Sequence, residues 1–441
     1  MSLLSKRISR RSFLKVLGAG AAGAALAACA PAPTATVPAQ STSTSAPALG
    51  PAKVRFAHMN CWSDSMCKGM QTMVADFNSS HKSIQVEAVE WSWSNYLATL
   101  TAAVSAGEAP DVMHVGWGEV VSLGRPYFEP LDSYLTDDLK TNIRDASWTS
   151  SRIDGKTLGV PVTEQLNEVH FYLEDVWAKA GISAPPKTWA EYVAAGQKLM
   201  SAGVGEAFGV PASGAPIVTW WLEAQFQNNS PVFVKDGDKW KHTLSTPEAI
   251  EAGKFWYGMW NDSKVIAQAN LQRAGSDVMV PLFVDGKLGL LSAIVQTYFS
   301  LVHDHPEIKD RLRVAPVTRQ KSPATMGGAF ALSMFQQAKD KQAAWEFIQW
   351  GTSADVMKRY WVPLAQVLPT RKDVSYPDMT EKVAAGLQEY QQSQKVFPFI
   401  PEWEAIKGKV LTPVLGELAS GGVGFDAGWD TLVKQIEIVI R

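Results

Sequence analysis

The sequence predicts an α/β protein of more than one domain, and three observations carry that expectation. From Val54 a strand pattern, a helical pattern and a second strand pattern follow one another, and a second α/β stretch starts after the turn Asp154-Gly155-Lys156. The chain has 441 residues, more than one core fills comfortably even without an N-terminal address segment of residues 1–28.

That address comes first. Ser9-Arg10-Arg11-Ser12-Phe13-Leu14-Lys15 places paired arginines before a short Ala- and Gly-rich apolar run ending at Leu26-Ala27-Ala28-Cys29. A positive start and a short apolar stretch make an export signal, and the twin arginine points to the route that carries folded proteins across bacterial membranes. The run is too short to span a bilayer comfortably. Leu26-Ala27-Ala28-Cys29 is similar to the lipobox of bacterial lipoproteins, which implies cleavage before Cys29 and a diacylglycerol thioether on its sulfur. The plainer reading is an ordinary cleavage site that contains a cysteine. Residues 30–52 are only Ala, Pro, Thr, Ser, Val, Gln, Leu and Gly and read as a flexible tether.

The first strand is Val54-Arg55-Phe56-Ala57-His58-Met59, followed by Met66, Met70, Met73, Val74 and Phe77 at helical spacing and by Ile84, Val86 and Ala88 in strand alternation. A polar helix is predicted around Tyr96 to Ser105, then the break Gly107-Glu108-Ala109-Pro110 and a short strand Asp111 to Val115 that runs into Gly116-Trp117-Gly118. After the turn at Asp154, the strand Leu158 to Val162 leads into a polar crossing, Thr163-Glu164-Gln165-Leu166-Asn167-Glu168. Thr188-Trp189-Ala190-Glu191 is a capping box that opens a helix with Trp189, Tyr192, Val193 and Leu199 on one face; Gly196 on that face weakens the helix or lets a neighbour pack close. Another helix starts at Thr246-Pro247, with Ala249, Ala252, Gly253, Trp256, Tyr257 and Trp260 as an apolar stripe that reads as core before it reads as a sugar platform. Leu288 to Leu291, Leu312 to Pro316 and Ala329 to Met334 are further strands, Asp340 to Trp350 a helix, and the region beyond Pro369 is mostly helical.

Composition excludes some functions. A formal net charge of −2 gives no basic field for nucleic acid and no polybasic stripe for a membrane. Beyond Cys29 only Cys61 and Cys67 remain, either a short-loop disulfide or two buried thiols, and no second cysteine pair or histidine cluster completes a zinc site. His303-Asp304-His305 reads as a polar loop before Pro306 ahead of a metal site. There is no Gly-x-Ser-x-Gly elbow, no His-Glu-x-x-His and no Gly-x-x-x-x-Gly-Lys phosphate cradle. No cofactor or metal is expected. The unusual figure is 17 tryptophans, mostly for packing, with a surplus of flat rings for a ligand.

Across nearly the whole mature chain the order of segments resembles the family 1 extracellular solute-binding proteins, the sugar-binding class that serves ABC importers. The residues that carry the resemblance are Asp154-Gly155-Lys156 with Leu158-Gly159-Val160-Pro161, Phe171-Tyr172-Leu173-Glu174-Asp175 through Ala180-Gly181, and Pro185-Pro186-Lys187-Thr188-Trp189. They continue in Phe283-Val284-Asp285-Gly286-Lys287-Leu288-Gly289, Gly327-Gly328-Ala329-Phe330 with Ala343-Ala344-Trp345-Glu346-Phe347-Ile348, and Leu368-Pro369-Thr370-Arg371. Two stretches depart from the family. Leu290 to Gln296 stands where Met-Trp and a Gly-Ser-Trp loop are usual, and Gly327-Gly328-Ala329 where Gly-Gly-Trp is common.

The resemblance implies a type II periplasmic-binding-protein-like fold: two α/β lobes joined by hinge crossings and closing on a solute. Chain order puts lobe one at 53–162 and 327–364 and lobe two at 163–326 and 365–441. The implied function is capture of a mono- or oligosaccharide, or a related polyol, by a monomeric receptor held to the membrane through Cys29 and docking on ABC permease subunits. The alternative is a cell-surface carbohydrate-active lipoprotein enzyme, which two suitably spaced carboxylates would allow.

A sugar needs a flat apolar surface under its C–H faces and planar polar groups around its hydroxyl rim. Trp62 and Asp64 follow the first strand, where the family's first ligand loop sits; otherwise they are a core ring and a helix cap. Trp117 lies between two glycines that permit close approach. Glu164, Gln165 and Asn167 are polar on a crossing that burial would make apolar, so at least one should meet ligand or water. Trp220 and Trp221 resemble a family position bordering the cleft, or are core; Gln296, Gly327, Gly328 and Phe330 are candidates by position, and Trp403 corresponds to the family's late cleft aromatic.

Overall fold

Apolar positions two apart and three to four apart collapse onto two main sheets. The computed structural model describes residues 50–59, 64–92, 95–116, 120, 126–237, 239–365, 367–376, 379–398 and 400–440. Cys29, Cys61, Trp62 and Trp117 lie outside them, as do the address and most of the tether. Cys67 is disulfide-bonded.

Strand β1 (Ala52–His58) pairs in parallel with β2 (Ile84–Glu90) and β3 (Val112–Val115). The connection from β1 to β2 is the helix Asp64–Ser80, whose Met70, Met73 and Phe77 are fully buried at the predicted spacing. A hairpin of β4 (Arg152–Ile153) and β5 (Lys156–Thr157) turns through Asp154 and Gly155, at φ 49° and 74°, the doubly left-handed geometry of a two-residue turn.

Strand β6 (Val160–Leu166) follows, then β7 (Val169–Leu173), β8 (Glu206–Gly209), the hairpin β9 (Phe233–Asp236) and β10 (Lys239–His242), β11 (Leu288–Ala293), β12 (Leu312–Val314) and β13 (Thr325–Met334). The short strands β14 (Leu368–Pro369) and β15 (Gln394–Lys395) complete the set. The larger sheet runs β14-β6-β13-β3-β1-β2, with β15 beside β13; the smaller runs β12-β7-β11-β8.

Two long strands pass between cores. Val160 and Val162 of β6, with Leu332 and Met334 of β13, belong to the apolar cluster of β1, β2 and the helix Asp64–Ser80. Leu166 and Met326, at the opposite ends of the same strands, belong to the cluster that contains β7, β11 and Trp221, Trp256 and Trp260. Each lobe thus has its own core.

The structure keeps most local expectations and extends some. The Thr188 capping box forms with both halves present. A Cβ on Gly196 would come within 2.6 Å of Val265 Cγ1, so the glycine serves close packing. Trp256 and Trp260 are buried core. The strand expected to stop at Val162 continues to Leu166 and starts at Val160, because β13 pairs with it from Gly327↔Leu166 to Leu332↔Val160. The polar crossing is therefore a ladder strand, paired with β13 on one side and with the short edge strand Leu368–Pro369 on the other. Sequence reasoning gave no account of the helices Pro216–Gln227 and Gln296–Asp304 or of the β9–β10 hairpin.

Candidate functional site

Crossing strands are buried on both faces, so any side chain they leave partly open stands out. Gln165 is the only residue of β6 that is not buried, and Phe330 the only one of β13. In the antiparallel register Gln165 lies opposite Gly328 and Phe330 opposite Thr163. Paired residues, and residues two apart on a strand, share a face, so Gln165 and Phe330 look out on the same side. Gly328 places no side chain between them. A Cβ on Gly327 would sit 2.8 Å from the Gln165 carbonyl oxygen, which explains the glycine as a requirement of close strand approach.

The segment after β11 brings a second polar group to this face. Val295 N–H donates to the Leu166 carbonyl at 3.0 Å, seating the start of the helix Gln296–Asp304 against the end of β6. Gln296 Nε2 then donates to Gln165 Oε1 at 3.0 Å. Gln165 and Gln296 are partly exposed as residues, although the Gln296 Oε1 atom is buried; Asn167 is partly exposed too, and its backbone N–H is held by the Met326 carbonyl at 2.9 Å.

Phe330 is propped from behind. His114 on β3 stacks on it with ring centroids 5.2 Å apart, and Trp361 stacks on the other side of His114 at 5.0 Å. Burial, with His58 nearby, holds the His114 imidazole down at about 3, so it is neutral and stacks as an uncharged ring. Sequence reasoning missed His114 and Trp361. The available signal was a histidine in the otherwise apolar run Val112-Met113-His114-Val115.

Glu164 points the other way. It pairs with Ala329 and Leu368 on the opposite face and is wholly buried, its carboxyl bonded by Ser147 Oγ, by Gln391 Nε2 and, at 3.2 Å, by Gln394 Nε2. Burial pushes this carboxyl up to about 7 despite the nearby Arg144. Its polarity on a crossing is satisfied by protein groups, which corrects the expectation that it faces a solute.

The expected tryptophans turn inward where they are described. Trp220 and Trp221 lie on the helix Pro216–Gln227, in which every residue from Ile217 to Gln225 is buried. Trp220 stacks on His170 at 5.4 Å and lies against the buried Glu168 carboxyl, and Trp221 packs near Trp429. Trp403 is 3% exposed and stacks on Phe397 at 5.3 Å. Their amphipathic rings fill the same apolar cluster, which leaves them no open face. Asp64 opens the first helix, with its side chain outside the described part, as Trp62 and Trp117 are.

Two other places gather polar side chains. A groove of about 930 Å³ lies between the β9–β10 hairpin and the last helix, Phe425–Val439, lined by Lys235, Trp240, His242, Glu402 and Glu437, with no lining residue on a crossing. His303 and His305 are each beside one carboxylate, Asp304 at 2.7 Å and Glu307 at 3.4 Å. Among the described residues no group of three or more His, Cys, Asp or Glu could hold a metal ion, and no helix is long and apolar enough to cross a membrane.

The model of the bacterial extracellular solute-binding protein family matches residues 64–358. The chain belongs to that family. Its members are binding proteins. A Brucella abortus protein named as a binding protein is 27% identical over 319 residues, covering 71% of this chain and 76% of its own. Among solved structures, the sugar-binding protein MalE from Xanthomonas citri superposes with a TM-score of 0.75 at 20% identity, over 88% of this chain and 97% of that one. The cyclic alpha-maltosyl-1,6-maltose binding protein from Arthrobacter globiformis superposes with a TM-score of 0.73 at 21% identity, over 89% and 99%. These likenesses establish the two-lobed periplasmic-binding-protein fold.

Proposed function

We propose that this family member captures a carbohydrate, a mono- or oligosaccharide or related polyol, by closing its two lobes and hands it to an ABC import permease. The observation that carries the proposal is that Gln165 and Phe330 share the open face of two otherwise buried crossings, with Gln296 bonded to Gln165. A flat ring suits the C–H face of a sugar, and two carboxamides offer donors and acceptors to its hydroxyls. Sugar-binding relatives of the same fold favour the same solute class.

In this reading Gln165, Asn167, Gln296, Gly327, Gly328 and Phe330 form the floor of the site, and Trp62, Asp64 and Trp117 are proposed as its remaining contacts. The lobes are 53–162 with 327–364 and 163–326 with 365–441. The protein acts without turnover, as a monomer outside the cytoplasm, tethered through lipidated Cys29. The tether raises its effective concentration at the permease, so a weak docking contact suffices.

Ring stacking contributes about 0.5–1.5 kcal/mol beyond area burial, and micromolar affinity needs about 8 kcal/mol, so hydrogen bonds from several amides must supply much of the rest. A solute bound across both lobes stabilises the closed form by its differential affinity. A thermal-shift screen of sugars, amino acids and polyamines tests the proposal, because a ligand that binds the folded form raises the melting temperature by mass action. A shift with a carbohydrate supports it. A shift only with an amino acid or polyamine overturns the sugar assignment, and sugar consumed far beyond protein stoichiometry overturns the receptor.

A further inference from the structure

Four segments converge on one buried carboxyl. Glu164 lies in β6, and its backbone pairs with Ala329 of β13 on one side and Leu368 of β14 on the other. Its two carboxyl oxygens take hydrogen bonds from Ser147 on the short helix Asp145–Trp148, from Gln391 near the end of the helix Glu381–Ser393, and from Gln394 in β15. Strand β15 in turn pairs with the start of β13, Thr325↔Gln394 and Met326↔Lys395. The strands linked through this residue include the two that run between the cores, and two of its donors, Gln391 and Gln394, lie 227 and 230 residues away in the chain. No apolar side chain could make such a junction, since only a carboxyl offers enough acceptor sites for three donors.

The bonds extend outward. Gln391 Oε1 accepts from Tyr376 Oη, and Gln391 Nε2 lies 3.5 Å from the Pro369 carbonyl. Arg144 Nη1 donates to the carbonyls of Pro369 and Arg371 at 2.7 and 2.8 Å, so the segment from Pro369 to Arg371 is held on the Ser147 side as well. Glu164 itself points to the sheet face opposite Gln165 and Phe330, so the junction serves the backbone of the crossings while its carboxyl leaves their open face clear.

We propose that Glu164 is a positioning residue of the hinge: its buried carboxyl clasps β6, β15, the helix carrying Gln391 and the helix carrying Ser147 into one unit about which the lobes open and close. This rests on the reading of the chain as a closing two-lobed receptor. An ionised carboxylate accepts from all three donors at once. A neutral carboxyl must place its own proton, which it does by donating to the Ser147 oxygen and turning that hydroxyl away. The clasp is therefore tightest when Glu164 is charged. The charged and titratable groups that act on it are Arg144, which favours the charged form, and Tyr376; Arg371 is engaged by Asp138 and Asp373. Burial holds the carboxyl up at about 7, so the change falls near neutral pH.

The test needs no sugar. Small-angle scattering of the purified unliganded protein across pH 5.5 to 8.5 reads the balance of open and closed lobes. The wild type is expected to show one transition with a midpoint near pH 7, and Glu164→Gln, which cannot ionise, to show none. Ser147→Ala keeps the carboxyl and removes one donor to its charged form, so its midpoint should move upward by about half a pH unit or more. A wild-type profile that is flat, a transition that survives in Glu164→Gln, or an unmoved midpoint in folded Ser147→Ala each overturns the proposal. Failure of sugar capture would leave the scattering transition in place, and failure of the clasp would leave sugar binding in place, so the two readings fall separately.

Discussion

Polarity at a residue means different things according to the face it lies on. Glu164 and Gln165 are neighbours in a run whose polar composition marked the crossing, yet strand alternation sends one into a closed junction and the other to the open face. The crossing was legible in the sequence; which of its polar residues met solvent depended on register with β13, which no local pattern encodes. Glu168 shows a third outcome. Wholly buried and accepting from Ser292 Oγ at 2.7 Å, its carboxyl is pushed up to about 8 by burial. The unfolded chain releases this proton near the ordinary carboxylate value while the folded chain keeps it, so stability falls as pH rises from about 4.5 to about 8. Melting curves across that window should fall less steeply for Glu168→Gln, and equal slopes would contradict the burial argument. Gln165→Ala should weaken sugar binding about fivefold, the loss of one neutral hydrogen bond of about 1 kcal/mol, with a melting temperature close to wild type; calorimetry with unchanged affinity would remove Gln165 from the site.

Elements read best where local chemistry decides them. The Thr188–Glu191 box is closed in both directions: Glu191 N–H donates to Thr188 Oγ1, and the Thr188 N–H donates to the Glu191 carboxylate at 3.0 Å. Thr188→Ala should cost about 1 kcal/mol, read as a lowered denaturant midpoint, and an unchanged midpoint would deny the cap its role. Gly196 is the opposite case, a helix position where propensity favours alanine but packing forbids it. A Cβ there would meet Val265 and Phe208 at 2.6 to 2.9 Å, so Gly196→Ala should destabilise by about 1–3 kcal/mol where an exposed helical site would gain. The helix Pro216–Gln227 escaped sequence reading for a related reason. Buried on nearly every side, with Thr219, Glu223, Gln225 and Gln227 buried among its apolar residues, it carries little of the one-sided pattern that announces a surface helix. Trp220 and Trp221 were legible as unusual residues, but the element that turns them inward was not.

At the scale of the whole molecule, two cores share two long strands, and function follows from that sharing. The first β-α-β unit and the α/β texture could be read directly, because alternation and helical spacing are local. The two-lobed plan came from the order of family marks, since β13 joins the larger sheet only after all the strands of the smaller sheet have been passed, a connection that no window of sequence contains. At the proposed site the sequence singled out Gln165, Gln296, Gly328 and Phe330, which the structure brings near one another, and overlooked His114 and Trp361, whose stacking beneath Phe330 exists only in three dimensions. The central claim is that a sugar binds at that site, against the ring of Phe330. It is tested most directly by calorimetric titration of wild type and Phe330→Leu with whichever sugar gives the largest thermal shift. Leucine keeps apolar bulk against His114 and removes the flat ring. A two- to tenfold drop in affinity, about 0.5–1.5 kcal/mol, is the predicted result, and equal affinities would contradict it.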